Sequence, residues 1–167
     1  SQPALGVEDA LREGMDLPLI SLTLNTGSEE QDAANARIFS ELTAEAHRLG
    51  FPVIGEYFPT GHKEMAEEEL HQDVFEGCRI IVELGADAVK TFYTCHFDEV
   101  TRSCPVPILG LGAEKLPTQA EALRLADAEI RHGAGGVVFG RNAIQVERPA
   151  DFQAALCEVV RDRAAVE

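Results

Sequence analysis

Short apolar runs rich in β-formers alternate along the whole chain with longer stretches of helical spacing, and this alternation constrains the fold more than any other feature. LPLISLTLN (17–25), FPVIGEYF (51–58), ADAVKTFYT (86–94), VPILGLG (106–112) and AGGVVFG (134–140) read as strands. The segments 28–50, 67–85, 96–104, 118–133 and 148–165 between and after them read as helices. The punctuation agrees: Ser28 and Thr118 are good N-caps, Glu121 completes a capping box, and Gly50, Gly85 and Gly133 stand where a helix would stop. No linker or low-complexity tract interrupts the pattern, so residues 1–167 read as one domain. Strand-then-helix at a regular interval implies a parallel sheet, either closed as a TIM (β/α)8 barrel or open and flavodoxin-like. A complete barrel needs about 250 residues. This chain has 167, supplies about five βα units, and opens on VEDALREGM, which reads as the tail of an earlier helix, with no initiator Met. The barrel reading therefore expects an incomplete, N-terminally truncated barrel with the first three strands absent. The open-sheet alternative needs only five strands.

Charge narrows the partners. With 29 acidic and 14 basic residues the formal net charge is −15, a field that repels nucleic-acid backbones and anionic lipid surfaces. An anionic small molecule then requires a focused local site. Cys78, Cys95, Cys104 and Cys157 form no CxxC pair, and no apolar stretch approaches the roughly 20 residues of a membrane span, so the expected setting is the cytoplasm with reduced thiols. The five histidines show no zinc-site spacing, and neither a metal nor a cofactor is expected.

Candidate chemistry gathers at strand ends, since in both architectures ligands bind at the carboxyl edge of the sheet. In ADAVKTFYT, period-2 alternation puts Ala88, Lys90 and Phe92 on one face. Burial would depress the lysine pKa and give a neutral amine able to attack a carbonyl; the competing reading is a lysine snorkelling its charge into water. In AGGVVFGRN, Gly140, Arg141 and Asn142 follow an apolar strand and could present donors to a phosphate, or simply make a strand-to-helix turn with a surface arginine. LGLGAEK carries G-x-G but has Lys115 in place of the third glycine, which makes it weak as a dinucleotide fingerprint and more interesting as a Gly-lined edge beside the FGRN turn. On strand 51–58, Glu56 shares a face with Phe58 while Tyr57 points the other way. Glu56 reads either as a proton-transfer group near Lys90 or as the ion-pair partner that keeps Lys90 charged.

GADAVKTFYT, CPVPILGLGAEKLPT and GAGGVVFGRNAIQ, in this order and spacing, resemble the C-terminal part of the archaeal-type class I fructose-bisphosphate aldolases and their relatives in the DeoC/FbaB/LacD superfamily, from about Val7 to the C-terminus. Those relatives include a thiolase that processes phosphorylated autoinducer-2. The resemblance implies a TIM barrel with a Schiff-base lysine on the sixth strand, at Lys90. It implies a substrate phosphate site at Gly112 and Ala113 on the seventh strand and Gly140 and Arg141 on the eighth. It implies a phosphorylated keto-sugar as the small-molecule partner. Ala113 stands where the family has a second glycine, and its amide can still donate. The family's Tyr-Pro-Arg-Gly run reads Phe58-Pro59-Thr60-Gly61 here, which removes its acid/base tyrosine and an arginine for a second phosphate. Class I aldolase or related thiolase chemistry are the catalytic expectations, and a non-catalytic phosphometabolite-binding module is the alternative. A five-stranded piece with open edges is expected to form homo-oligomers.

Overall fold

The computed structural model describes residues 5–162 and Val166. Its elements run α1 (Val7–Arg12), β1 (Leu19–Leu22), α2 (Glu29–Arg48), β2 (Ile54–Tyr57), α3 (Glu67–Glu83), β3 (Ala88–Thr91), α4 (Phe97–Ser103), β4 (Ile108–Leu111), α5 (Gln119–Arg131), β5 (Gly136–Val138), α6 (Arg141–Ile144) and α7 (Pro149–Asp162). Every expected strand exists, although each ladder is shorter than its apolar run. The termini follow the caps: the Ser28 hydroxyl accepts from the Gln31 amide, and Thr118 and Glu121 form a reciprocal capping box.

The five strands pair in parallel in the order β1-β2-β3-β4-β5. A doubly wound sheet reverses its strand order and carries helices on both faces, whereas a barrel winds sequentially with helices outside. The sequential order therefore excludes the flavodoxin-like alternative, and the chain forms part of a TIM-type barrel wall. Leu22, Tyr57, Val89, Thr91 and Ile108 project to the helical layer and are buried there with Phe39, Val74, Ile81 and Val100. The fit is close: a Cβ on Gly77 of α3 would lie 2.2 Å from Cζ of Tyr57, so this tyrosine fits only beneath a glycine. The opposite face, the inner wall of a barrel, is less covered. Leu19 is 45% exposed on it, and Ile54, Ala88, Leu109 and Val138 are half-buried. Among the described residues no helix is long and apolar enough to cross a membrane.

Candidate active site

Register brings the central residues together. Ser21 pairs with Glu56, Glu56 with Lys90, and Lys90 with Leu109, so the four lie in one row across the inner face. In parallel strands such neighbours are close enough for direct side-chain contact. Lys90 Nζ donates to Glu56 Oε1 at 2.5 Å, and Ser21 Oγ donates to Glu56 Oε2 at 2.7 Å. The lysine and glutamate side chains are only 19% and 15% exposed, so the pair is sheltered yet reachable. Tyr57, one residue on, points outward as expected, and its hydroxyl donates to Asp73 Oδ1 at 3.1 Å. Burial first, and the nearby Asp73 carboxylate second, push this phenol far above its ordinary pKa, so it stays neutral.

A cavity of about 810 Å³ opens above this row. All six residues expected at the site line it: Glu56 and Lys90 on one side, Gly112, Ala113, Gly140 and Arg141 on the other. Arg141 lies at the start of α6 and donates from its guanidinium to the Ala113 carbonyl at 2.9 Å, tying the ends of β4 and β5 together. Ala113 has φ 46, left-handed backbone that suits glycine and costs an alanine on the order of 1 kcal/mol. Gly112 lines the cavity and also has a structural part. Its amide donates to the Val138 carbonyl at 3.3 Å, within the β4–β5 pairing. A Cβ there would come within 2.8 Å of the Phe139 ring, so its lack of a side chain serves packing. At Gly140 an added Cβ would meet nothing within 4 Å, which leaves that backbone open to the cavity. Asn142 is buried and its amide is committed: it donates to the carbonyls of Gly112 and Glu114 and accepts from the Leu116 amide. It braces the loop after β4 and is not a phosphate donor.

Several lining residues escaped the sequence reading. His62 sits between Phe58 and Phe92, with ring centroids 5.0 and 4.8 Å away, and the three rings form one aromatic wall. Lys63, on the loop after β2, reaches across to pair with Glu114 on the loop after β4. Lys63 holds the Glu114 carboxyl below its usual range. The cavity gathers Lys63, Lys90 and Arg141 with the carboxylates of Glu56 and Glu114, which pair with Lys90 and Lys63, so among the described residues the Arg141 guanidinium is the lining cation not ion-paired with a carboxylate of the cavity. Ser21 was detectable, since alternation in LPLISLTLN puts it on the face of Leu19 and Thr23. His62 and Lys63 lie in a loop, where no periodicity reports a direction.

Residues 4–146 match the family model described as DeoC/LacD family aldolase. Among curated proteins, the chain is 35% identical over 159 residues to an uncharacterized aldolase of Pasteurella multocida (strain Pm70), covering 94% of this chain and 52% of that protein. It is 35% identical over 161 residues to the 3-hydroxy-5-phosphonooxypentane-2,4-dione thiolase of Enterobacter sp. (strain 638), covering 95% and 52%. The chain thus spans about half the length of these curated relatives. Among solved structures, an archaeal fructose 1,6-bisphosphate aldolase superposes with a TM-score of 0.81 at 28% identity, covering 94% of this chain and 62% of that one. A second with the same TM-score, identity and coverage is an archaeal aldolase whose catalytic lysine is covalently bound to the carbinolamine intermediate of its substrate.

Proposed function

Starting from the DeoC/LacD aldolase family, to which this chain belongs, we propose that the cavity is the site of a class I, Schiff-base lyase that breaks or forms a carbon–carbon bond in a phosphorylated ketose, in the manner of fructose-bisphosphate aldolase. The observation that carries this reading is the sheltered Lys90–Glu56 pair opening on the same cavity as Arg141. The Lys90 amine adds to the substrate ketone to give a carbinolamine, which loses water to an iminium. The adjacent C–C bond then breaks as its electron pair flows to the iminium nitrogen. The outgoing half leaves as an aldehyde, and its hydroxyl proton goes to Glu56. Protonation of the enamine and hydrolysis release the ketone and regenerate the amine. Glu56 suits this proton traffic because its second oxygen is held by Ser21, leaving the first to move between Lys90 and the substrate. The substrate phosphate takes its place against the Arg141 guanidinium and the open backbone at Ala113 and Gly140.

Borohydride tests the reading directly. Reduction of the whole protein in the presence of dihydroxyacetone phosphate should fix the ligand's mass on Lys90, with or without EDTA. Label on another lysine sinks the assignment, and phosphate binding without label or turnover leaves only a binding module.

The anion site has its own test. Arg141→Ala should weaken dihydroxyacetone phosphate binding by about 1.5–3 kcal/mol, the loss of a charge-assisted hydrogen bond, read by calorimetric titration. Unchanged affinity would remove Arg141 from the site.

A thiolase-like acyl transfer is the second reading, favoured by Phe58, which stands where the aldolases carry tyrosine and replaces an acid/base hydroxyl with an apolar ring. The two part on their acceptor. Aldehyde released from a ketose phosphate without any thiol supports the lyase, and product formed only when coenzyme A is present supports the thiolase.

A further inference from the structure

Outside the cavity, the loop after β3 meets the first turn of α3, and there a thiol, an imidazole and a carboxylate converge. One ligand atom each from Glu68, Cys95 and His96 lies within 4.8 Å of the other two. None of the three lines the cavity above Lys90. Local structure sets the group in place: His96 adopts φ 52 at the N-cap of α4, which turns the chain sharply after Cys95. The Cys95 thiol donates to the Glu67 carbonyl at 3.4 Å, and His96 Nε2 stands 3.8 Å from Glu68 Oε1. Behind them the buried His71 packs its ring 5.7 Å from that of His96 and is held at Nδ1 by Thr94 Oγ1, 3.1 Å away.

We infer that Glu68, Cys95 and His96 form a binding site for a zinc-like divalent transition metal. The donor set decides the metal class. Magnesium and calcium take oxygen ligands, whereas sulfur, imidazole nitrogen and one carboxylate oxygen suit zinc. Bonds of about 2.0–2.3 Å in a tetrahedron put ligand atoms roughly 3.5 Å apart, so the three donors need to close by about 1 Å, with water in the fourth position. Rotation of the exposed Glu68 and His96 side chains supplies that movement. The ion joins the start of α3 to the segment that follows β3, so its role is to clamp the rim of the barrel wall behind Lys90, apart from imine chemistry. Sequence spacing hid the site because its ligands come from one helix start and one loop, 27 positions apart from Glu68 to Cys95.

Cobalt(II) is the probe, because a thiolate ligand gives it a charge-transfer band in the near ultraviolet along with tetrahedral bands in the visible. Titration of the whole protein should show one equivalent bound at micromolar concentration with both features, and zinc should displace it. Cys95→Ser should abolish the charge-transfer band, His96→Ala and Glu68→Gln should each weaken cobalt binding at least tenfold, and Cys157→Ser, at an exposed thiol on α7, should change nothing. Zinc should also raise the melting temperature of the wild type and not of Glu68→Gln, whose exposed position tolerates the change. No binding below millimolar cobalt, a band that survives Cys95→Ser, or a band lost in Cys157→Ser overturns the proposal.

Discussion

Lys90→Met is expected to lower turnover of a ketose phosphate on the order of 10⁴-fold or more, because removing a covalent nucleophile eliminates the step on which the later ones depend. No neighbouring lysine can rescue it. Lys63, the other lysine on the cavity wall, lies on a loop with its side chain 65% exposed and paired with Glu114. The fold should persist, since methionine is unbranched and suits the half-buried strand position that the lysine stem occupies. What the variant loses structurally is the partner of Glu56, whose carboxylate keeps the Ser21 hydroxyl. Glu56→Gln separates the two roles open to the glutamate. If Glu56 moves protons, the glutamine variant still traps imine with borohydride but turns over 10²–10⁴-fold more slowly, as expected for loss of general acid–base catalysis. It also loses one limb of the pH–rate profile. A role confined to holding Lys90 charged would instead keep both limbs of that profile, shift the limb that belongs to the amine to lower pH, and change the rate of imine formation. Far-ultraviolet circular dichroism and burst trapping together read both variants. Wild-type turnover in Lys90→Met with a native spectrum would end the Schiff-base proposal.

The alternation of apolar runs made the five strands and their parallel pairing legible, because period-2 and period-3.6 patterns follow directly from strand and helix geometry. The same alternation also set the parity that puts Glu56 and Lys90 on one face and Tyr57 on the other. It could not choose between barrel wall and doubly wound sheet, since strand order is a tertiary property that both share at the level of pattern. The ladder is shorter than the apolar run: β3 keeps Ala88–Thr91 out of 86–94, because Asp87 is taken up by the Val53 amide and His47 before the strand, and residues 92–94 leave the ladder on the side of the cavity. Gly112 and Asn142 show a second limit. Their motifs imply the carboxyl edge of the sheet, where both lie, yet their hydrogen bonds go to Val138, Gly112, Glu114 and Leu116, partners up to 30 residues away that no local pattern names.

A stability that falls with rising pH through a window opening near pH 4.5 is the expected consequence of Glu129 on α5. Its side chain is fully buried, and neither carboxyl oxygen has a hydrogen-bond partner. It lies flat beneath β4, where a Cβ on Gly110 would sit 2.1 Å from its Cδ. Burial alone pushes the carboxyl up to about 9 from 4.5. Between those values the folded protein keeps a proton that the unfolded chain releases, so each pH unit in the window costs about 1.4 kcal/mol of stability, and the loss stops above the folded pKa. Glu129→Gln retains the shape without the ionisation. Other titrating groups are common to both proteins and cancel in the comparison. The glutamine variant should therefore gain roughly 4 kcal/mol on the wild type between pH 5 and pH 8, measured by urea unfolding at the two values. Parallel pH dependence in the two proteins would show that the acid is hydrated or paired when folded. The same titration is expected at the site, because Glu129 packs directly behind Gly110 of β4, and β4 leads into Gly112 and Ala113 at the cavity. Phosphate affinity should accordingly weaken only as pH rises towards the folded pKa of about 9, and hold steady there in Glu129→Gln.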